Sequence, residues 1–135
     1  MAYLEWNDNY ALGIAELDMQ HRRLLAMISD FYRALETQAL GEAVDDLLAR
    51  LKAYAMEHFA TEEGYLLRYG YPKLDEQQRQ HQDFVAKLGD LMQRRDARVL
   101  GGSIEVTRFL KTWWNDHILR SDMGYREWLV SRGAR

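Results

Sequence analysis

The sequence predicts an all-α fold, an antiparallel up-down four-helix bundle with an N-terminal arm. Two observations predict it. Turn residues divide the 135-residue chain into segments of similar length, and four segments place apolar residues alternately three and four positions apart. That spacing is typical of a buried helical face. Helices of roughly 20 residues are about 30 Å long, and short connections between them favour antiparallel packing.

An arm and two helices are expected in the first part of the chain. Residues 1–17 form the arm. Asp18 is a suitable N-cap for a helix at about 18–36, because its carboxylate can accept hydrogen bonds from free N–H groups of a first turn. Gly41 then separates this helix from a second one at about 42–69.

Two further helices follow. Residues 70–72, with the sequence Gly-Tyr-Pro, end the second helix, and a third is expected at about 73–95. Residues 101–103, Gly-Gly-Ser, break the chain again and cap a fourth at about 104–129. Because no linker or repeat interrupts this pattern, we expect residues 1–135 to form one domain.

Composition excludes several classes of protein. Hydrophobic residues make up 47% and charged residues 29%, as in a globular domain. A net charge of −3 indicates neither a nucleic-acid-binding nor a membrane-binding surface. The absence of cysteine excludes disulfides and thiolate metal sites. With no signal sequence and no run of ~20 apolar residues, we expect a cytoplasmic protein.

The predicted inward faces carry polar side chains as well as apolar ones. Each helix places one of the four histidines of the chain on its inward face, and the second and third helices add a glutamate and a glutamine. These polar residues are His21, His58, Glu62, Gln77, His81 and His117.

The inward face of the fourth helix is irregular. A step of four from His117 gives Ser121, whereas a step of five gives Asp122 and then Tyr125 and Leu129, a good inward face. On a regular helix, five residues would place Asp122 about 140° from His117. A single π-type turn would bring the two together, and such turns often occur at functional sites.

These polar residues are expected to meet at one end of the bundle, because they lie early in the first and third helices and late in the second and fourth.

One buried histidine is usually a hydrogen-bonded core residue. Two carboxylates buried with four imidazoles are costly unless a cation compensates them. Nitrogen and carboxylate ligands without sulfur suit iron, manganese or zinc. The Glu-x-x-His pattern of ferritin-like sites is absent, which argues against a ferroxidase of that family.

With these motifs the chain resembles the bacterial hemerythrins, from Trp6 to Tyr125. The motif parts are Asp18-Met19-Gln20-His21, His58-Phe59-Ala60-Thr61-Glu62-Glu63, Gly70-Tyr71-Pro72 followed by His81, and His117-Ile118-Leu119-Arg120-Ser121-Asp122. The resemblance implies two non-haem iron ions joined by carboxylates and a solvent-derived oxo or hydroxo group. Dioxygen is then expected at an open position on the iron bound by His21 and His58. The second iron is bound by His81 and His117, and the implied bridges are Glu62 and Asp122.

Binding of dioxygen in this way needs an apolar pocket that excludes water. Five residues next to ligand positions are candidates for its wall, although for any single one of them ordinary core packing is the more common role. They are Leu24, Leu25, Phe59, Trp113 and Ile118.

One position departs from the family pattern, which has a histidine four residues before His81 where this chain has Gln77. The Gln77 amide oxygen could be a weaker, neutral ligand of the second iron, or water could take its place. Glu76 is a poorer candidate because it is turned about 100° away. We expect weaker metal retention at this iron.

Three functions are consistent with the pattern. The first is an oxygen-binding protein, not an enzyme, that serves transport, storage, sensing or delivery. The second is a di-iron enzyme that consumes oxygen, peroxide or nitric oxide, which the departure at Gln77 would favour. The third is a metal-binding bundle without turnover. No protein partner can be identified.

Overall fold

The computed structural model describes residues 5–37, 40–96 and 103–135, and in these it is a bundle of four helical rods. The all-α prediction is confirmed. A short 3-10 turn precedes the bundle. The first three rods are single helices, and the fourth is composite, with a π-helical segment between two α-helices. The elements are the 3-10 turn Asp8–Tyr10, α1 (Ala15–Thr37), α2 (Leu40–Arg68), α3 (Leu74–Asp96), α4 (Ser103–Thr112), the π segment (Trp113–Asp122) and α5 (Met123–Ser131).

The first helix begins earlier than predicted, at Ala15, so Asp18 lies within its first turn and is not its N-cap. The Asp18 carboxylate instead accepts hydrogen bonds from the backbone N–H groups of Leu12, at 2.7 Å, and Gly13, at 3.1 Å. These bonds fold the arm back onto the start of the helix. The prediction failed because the arm, rather than the helix, supplies the donors.

The predicted boundaries of the second helix were half right. Gly41 lies inside α2, which begins at Leu40, so it does not separate the helices as expected. A glycine inside a long helix costs only about 1 kcal/mol, which packing easily offsets. At the other end, Gly70 has φ +65° and allows the Tyr71 N–H to reach the Leu66 carbonyl, which ends the helix as predicted. The predicted break at residues 101 and 102 lies outside the described residues.

The irregularity expected in the fourth helix is present. Residues 113–122 form a π helix, so the step of five from His117 to Asp122 returns to the same face of the rod. Trp113, His117 and Asp122 are all buried on it. The local widening predicted from the sequence is confirmed.

Two apolar clusters fill the bundle, and polar residues lie between them. The larger cluster runs along most of the four rods and includes Leu24, Leu51 and Leu110. The smaller one, which includes Leu17 and Leu129, lies beyond the polar residues and joins the arm to α5. The predicted site is therefore sealed by apolar packing on both sides. None of the described helices is long and apolar enough to cross a membrane.

Candidate metal centre

Seven polar side chains, here called the polar cluster, converge between the two apolar clusters. Each of them is at most 3% exposed. One comes from α1, two from α2, two from α3 and two from the π segment. They are His21, His58, Glu62, Gln77, His81, His117 and Asp122.

The first half of the polar cluster is built around His21 and His58. Their Nε2 atoms lie 3.2 Å apart, and each also faces a carboxylate. His21 Nε2 lies 3.2 Å from Asp122 Oδ2, and His58 Nε2 lies 2.9 Å from Glu62 Oε2. One ligand atom from each of these four residues fits within a span of 4.8 Å. This half is compact enough to hold a metal ion.

The second half is built around His81 and His117, with Gln77 beside them. His81 Nε2 lies 3.1 Å from Glu62 Oε1, and His117 Nε2 lies 3.0 Å from Asp122 Oδ1. Each carboxylate thus directs one oxygen to the first half and the other oxygen to the second half. That arrangement is what two metal ions sharing carboxylate bridges require.

The polar atoms of the cluster lie close together, but several of them lack hydrogen-bond partners. Glu62 Oε2, His117 Nε2 and both carboxylate oxygens of Asp122 make no hydrogen bond of normal geometry with any described residue. Two Nε2 atoms that face each other at 3.2 Å can share at most one proton. Buried polar groups are normally paired. Lone pairs aimed at a shared centre without partners fit a pair of cations.

Side chains outside the polar cluster fix the orientation of three imidazoles through Nδ1. Gln20 Oε1 lies 2.5 Å from Nδ1 of His58, Glu63 Oε2 lies 2.8 Å from that of His81, and Gln80 Oε1 lies 2.6 Å from that of His117. These oxygens accept the Nδ1 proton, which leaves the Nε2 lone pair free for a metal. The sequence alone did not identify these partners, although Gln20 and Glu63 stand next to predicted ligands.

Gln77 is held by the π segment. Its Nε2 donates a hydrogen bond to the Ser121 carbonyl at 3.0 Å, whereas its Oε1 is buried without a hydrogen-bond partner among the described residues. The amide nitrogen is thus occupied by the backbone beside Asp122. The oxygen remains free to act as a ligand or to accept a hydrogen bond from water.

Aromatic rings cover the two halves differently. In the second half, Phe59 stacks on His81 and Trp113 on His117, both with ring centroids 3.9 Å apart. In the first half, the Tyr54 ring lies 5.2 Å from that of His58 and almost parallel to it. Trp114 approaches His21 edge-on at 6.4 Å. Neither Tyr54 nor Trp114 was singled out from the sequence.

All five candidates for the pocket wall belong to the large apolar cluster. The stacking of Phe59 and Trp113 places them on the second half, although the open position is expected on the first. Leu24, Leu25 and Ile118 are buried in the same cluster. Their role as a pocket wall remains a prediction.

Burial and the neighbouring carboxylates together raise the pKa of two histidines, His21 and His117, and lower that of a third, His58. Burial alone would lower the pKa of His21, but the carboxylates of Asp122 and Glu62 outweigh it and raise that pKa to about 9. Burial also lowers the pKa of His117, but Asp122 and Glu62 outweigh it and raise that pKa to about 9. Burial lowers the pKa of His58. Although burial opposes it, contacts with His117, His21 and the other imidazoles hold the pKa of Glu62 well below its usual value.

Comparisons with known proteins agree with this geometry. The family model described as the hemerythrin HHE cation binding domain matches residues 12–129. A bacteriohemerythrin of Clostridium acetobutylicum is 31% identical over 89% of this chain and 96% of its own length. One of Stenotrophomonas maltophilia is 32% identical over 94% of this chain and 82% of its own. In fold, the chain is similar to a crystal structure of a hemerythrin with a leucine-to-tyrosine substitution, with a TM-score of 0.84, 24% identity, and coverage of 96% of this chain and 98% of that one.

Proposed function

Because the chain belongs to the hemerythrin family, the oxygen-binding non-haem di-iron proteins, we propose that its polar cluster holds the two irons and that dioxygen binds in the first half. The observation that supports this assignment is the division of each carboxylate between the two halves. Glu62 faces His58 with one oxygen and His81 with the other. Asp122 does the same for His21 and His117.

When bound, the iron pair supplies the electrons and an open coordination position for dioxygen. His21 and His58 would hold one ion, His81 and His117 would hold the other, and Glu62 and Asp122 would be shared by both. Among the described residues, the first half would be held by two imidazoles and the shared carboxylates, whereas the second half would also have Gln77 Oε1 as a neutral ligand. The open position is therefore assigned to the first half.

The protein contributes orientation and the exclusion of water. The Nδ1 contacts of Gln20, Glu63 and Gln80 fix three imidazole rings, so their Nε2 atoms already point inward before metal arrives. The two apolar clusters close the polar cluster above and below. A dry site strengthens every charge interaction within it and slows the loss of bound dioxygen to water.

Anaerobic reconstitution tests this proposal. Metal-free protein is supplied with ferrous iron, the iron content is measured, and the optical spectrum is recorded before air, after air and after renewed deoxygenation. We expect two irons per chain and an absorption band that appears with air and disappears on deoxygenation. Protein that binds no iron, or whose spectrum never responds to oxygen, would contradict the proposal.

Gln77 favours a second candidate function. It offers a neutral amide oxygen where the family pattern has an imidazole, so the second half is the weaker half of the site. A groove of about 460 Å³ also reaches His117 from the surface, between α3 and the π segment. Access and weak ligation there suit consumption of peroxide or nitric oxide. Conversion to the oxidised state with turnover of added peroxide, instead of a reversible band, would favour this alternative.

A further inference from the structure

Tyr54 carries a buried hydroxyl that the core does not explain. The residue is 1% exposed, and its Oη has no hydrogen-bond partner among the described residues. Burying an unpaired hydroxyl costs about 1–3 kcal/mol. A phenylalanine would fill the same space without that cost. The hydroxyl therefore lacks a partner among the described residues, and a ligand bound beside it would supply one.

Its position associates it with the first half of the polar cluster. Tyr54 precedes His58 by one turn of α2, and their rings lie nearly parallel with centroids 5.2 Å apart. Burial, followed by the negative charges of Glu62 and Asp122, raises the pKa of Tyr54 well above its usual value. Since a phenol has a pKa of about 10, it keeps its proton at neutral pH whatever the size of this shift, so the hydroxyl is available as a donor.

The rings over the second half differ in this respect. Phe59, which stacks on His81, has no polar atom, and Trp113, which stacks on His117, is a donor only through its indole nitrogen. A hydroxyl beside the half with fewer protein ligands suits a small ligand that accepts hydrogen bonds. Trp114 is a rival donor near the same half, because its indole nitrogen is also buried without a partner among the described residues and its ring lies near His21.

We propose that Tyr54 donates a hydrogen bond to the small ligand that occupies the first half, either dioxygen or an anion such as azide. This inference rests on the proposed function, since it requires a ligand at that position. The hydroxyl would favour ligands that carry negative charge and would slow their loss. Tyr54 then acts as a specificity-determining residue, in a position where the sequence suggested only apolar walls.

The test measures azide affinity in iron-loaded, oxidised protein. Four proteins are compared: wild type, Tyr54→Phe, Trp114→Phe and the matched control Tyr32→Phe. Tyr32 is a buried tyrosine of α1 whose pKa is raised by burial. For Tyr54→Phe we expect the azide dissociation constant to rise about fivefold to tenfold, as for the loss of one hydrogen bond. The control should stay within about twofold.

Two further measurements separate this inference from its premise. If wild type holds no iron or binds no azide, the proposed function fails before Tyr54 is tested. If wild type binds azide, its bound azide vibration should shift between H₂O and D₂O, and the shift should be lost in Tyr54→Phe. Metal-free Tyr54→Phe should be at least as stable as wild type, because no protein hydrogen bond is lost.

Several outcomes would overturn the inference. One is an unchanged azide affinity in a Tyr54→Phe variant that retains both irons. Another is a loss of affinity in Trp114→Phe instead, which would assign the donor to the indole. If Tyr54→Phe does not fold, the wild-type isotope shift decides. Its absence contradicts the inference, and its persistence in Trp114→Phe supports it.

Discussion

Each half of the polar cluster has two imidazoles of its own, and both halves share the same two carboxylates, yet their surroundings differ. The first half is covered by Tyr54 and Trp114. The second half has an additional neutral oxygen from Gln77, and one of its imidazoles contacts the partly exposed carboxylate of Glu63. Grooves of about 460 and 550 Å³ reach His117 and His81 from the surface. The two halves therefore differ less in their imidazole and carboxylate ligands than in the residues around those ligands and in their access from the surface.

This difference suggests a division of labour. The first half, with Tyr54 and Trp114 beside it, suits binding of a small ligand. The second half is anchored from outside by Glu63 and Gln80, and it suits retention and exchange of metal. If that division is correct, changes in shared residues should disable both halves, and changes in outer residues should affect only one.

The largest effect is expected from Glu62→Gln, because Glu62 is shared. The substitution keeps the size of the side chain but removes a charge that faces imidazoles of both halves. We expect the iron content to fall from two to below one per chain and the oxygen-dependent spectrum to disappear. Metal analysis and optical spectra measure this.

Glu57→Gln is the matched control for that variant. Glu57 lies on the same helix but is 58% exposed and pairs with Arg23 on the surface. Surface pairs of this kind contribute little, so its iron content should equal that of wild type. A Glu62→Gln variant that still holds two irons would contradict the bridging role.

The next largest effect is expected from Glu63→Gln, which should weaken only the second half. Its carboxylate accepts the Nδ1 proton of His81 at 2.8 Å, and a carboxylate makes that imidazole a stronger ligand than an amide does. We expect roughly 10- to 100-fold weaker retention of one iron. Release to a chelator, followed over time, should become biphasic with one fast phase.

Gln20→Leu makes the reciprocal test, since Gln20 contacts His58 in the first half. It should accelerate release of the other iron and weaken azide binding. If both variants released the same iron, or if neither changed the kinetics, the two halves would not be independent in the way their surroundings indicate.

A smaller change is expected from Gln77→His, which should strengthen the second half. An imidazole is a better ligand than an amide oxygen, so we expect severalfold slower iron release to a chelator and a longer-lived oxygenated form. Gln77→Ala should change release in the opposite direction. Identical lifetimes in wild type and Gln77→His would argue against any role for Gln77 in binding metal.

The smallest expected effect is the change of the thermal stability of metal-free protein with pH. His21 and His117 have folded-state pKa values of about 9, above the usual 6.5. A raised pKa stabilises the folded state fully below pH 6.5, and that contribution is lost as pH rises through about 9. The Tm of metal-free protein should therefore fall between pH 6.5 and 9. Iron-loaded protein should not show this fall, because its imidazoles carry no Nε2 proton.

Two groups act in the opposite sense at lower pH. Because the pKa values of Glu62 and His58 are lowered, their contributions are present at higher pH and are lost as pH falls through the acid range. Metal-free His21→Gln provides the control, since its alkaline fall should be shallower. If the Tm of wild-type metal-free protein stayed constant between pH 6.5 and 9, Asp122 and Glu62 would not be raising the pKa values of His21 and His117.

The sequence predicted much of the fold and of the cluster because helical periodicity is a local signal. The three- and four-residue spacing placed each histidine on an inward face, and all four are buried. The irregular step from His117 to Asp122 predicted the π segment for the same reason. Local reasoning failed at Asp18, where the donors come from the arm rather than from the helix.

What the sequence by itself determined was which residues point inward and at what depth, since both follow from spacing along a helix. Only the tertiary structure determined which side chains contact each other across helices. Gln20 with His58 and Gln80 with His117 are contacts between positions 38 and 37 residues apart. No local pattern encodes such pairs, because the rotation and register of one helix against another are set by packing of the whole core. The same packing placed the Tyr54 ring beside His58 and left its hydroxyl without a partner in the described part of the chain.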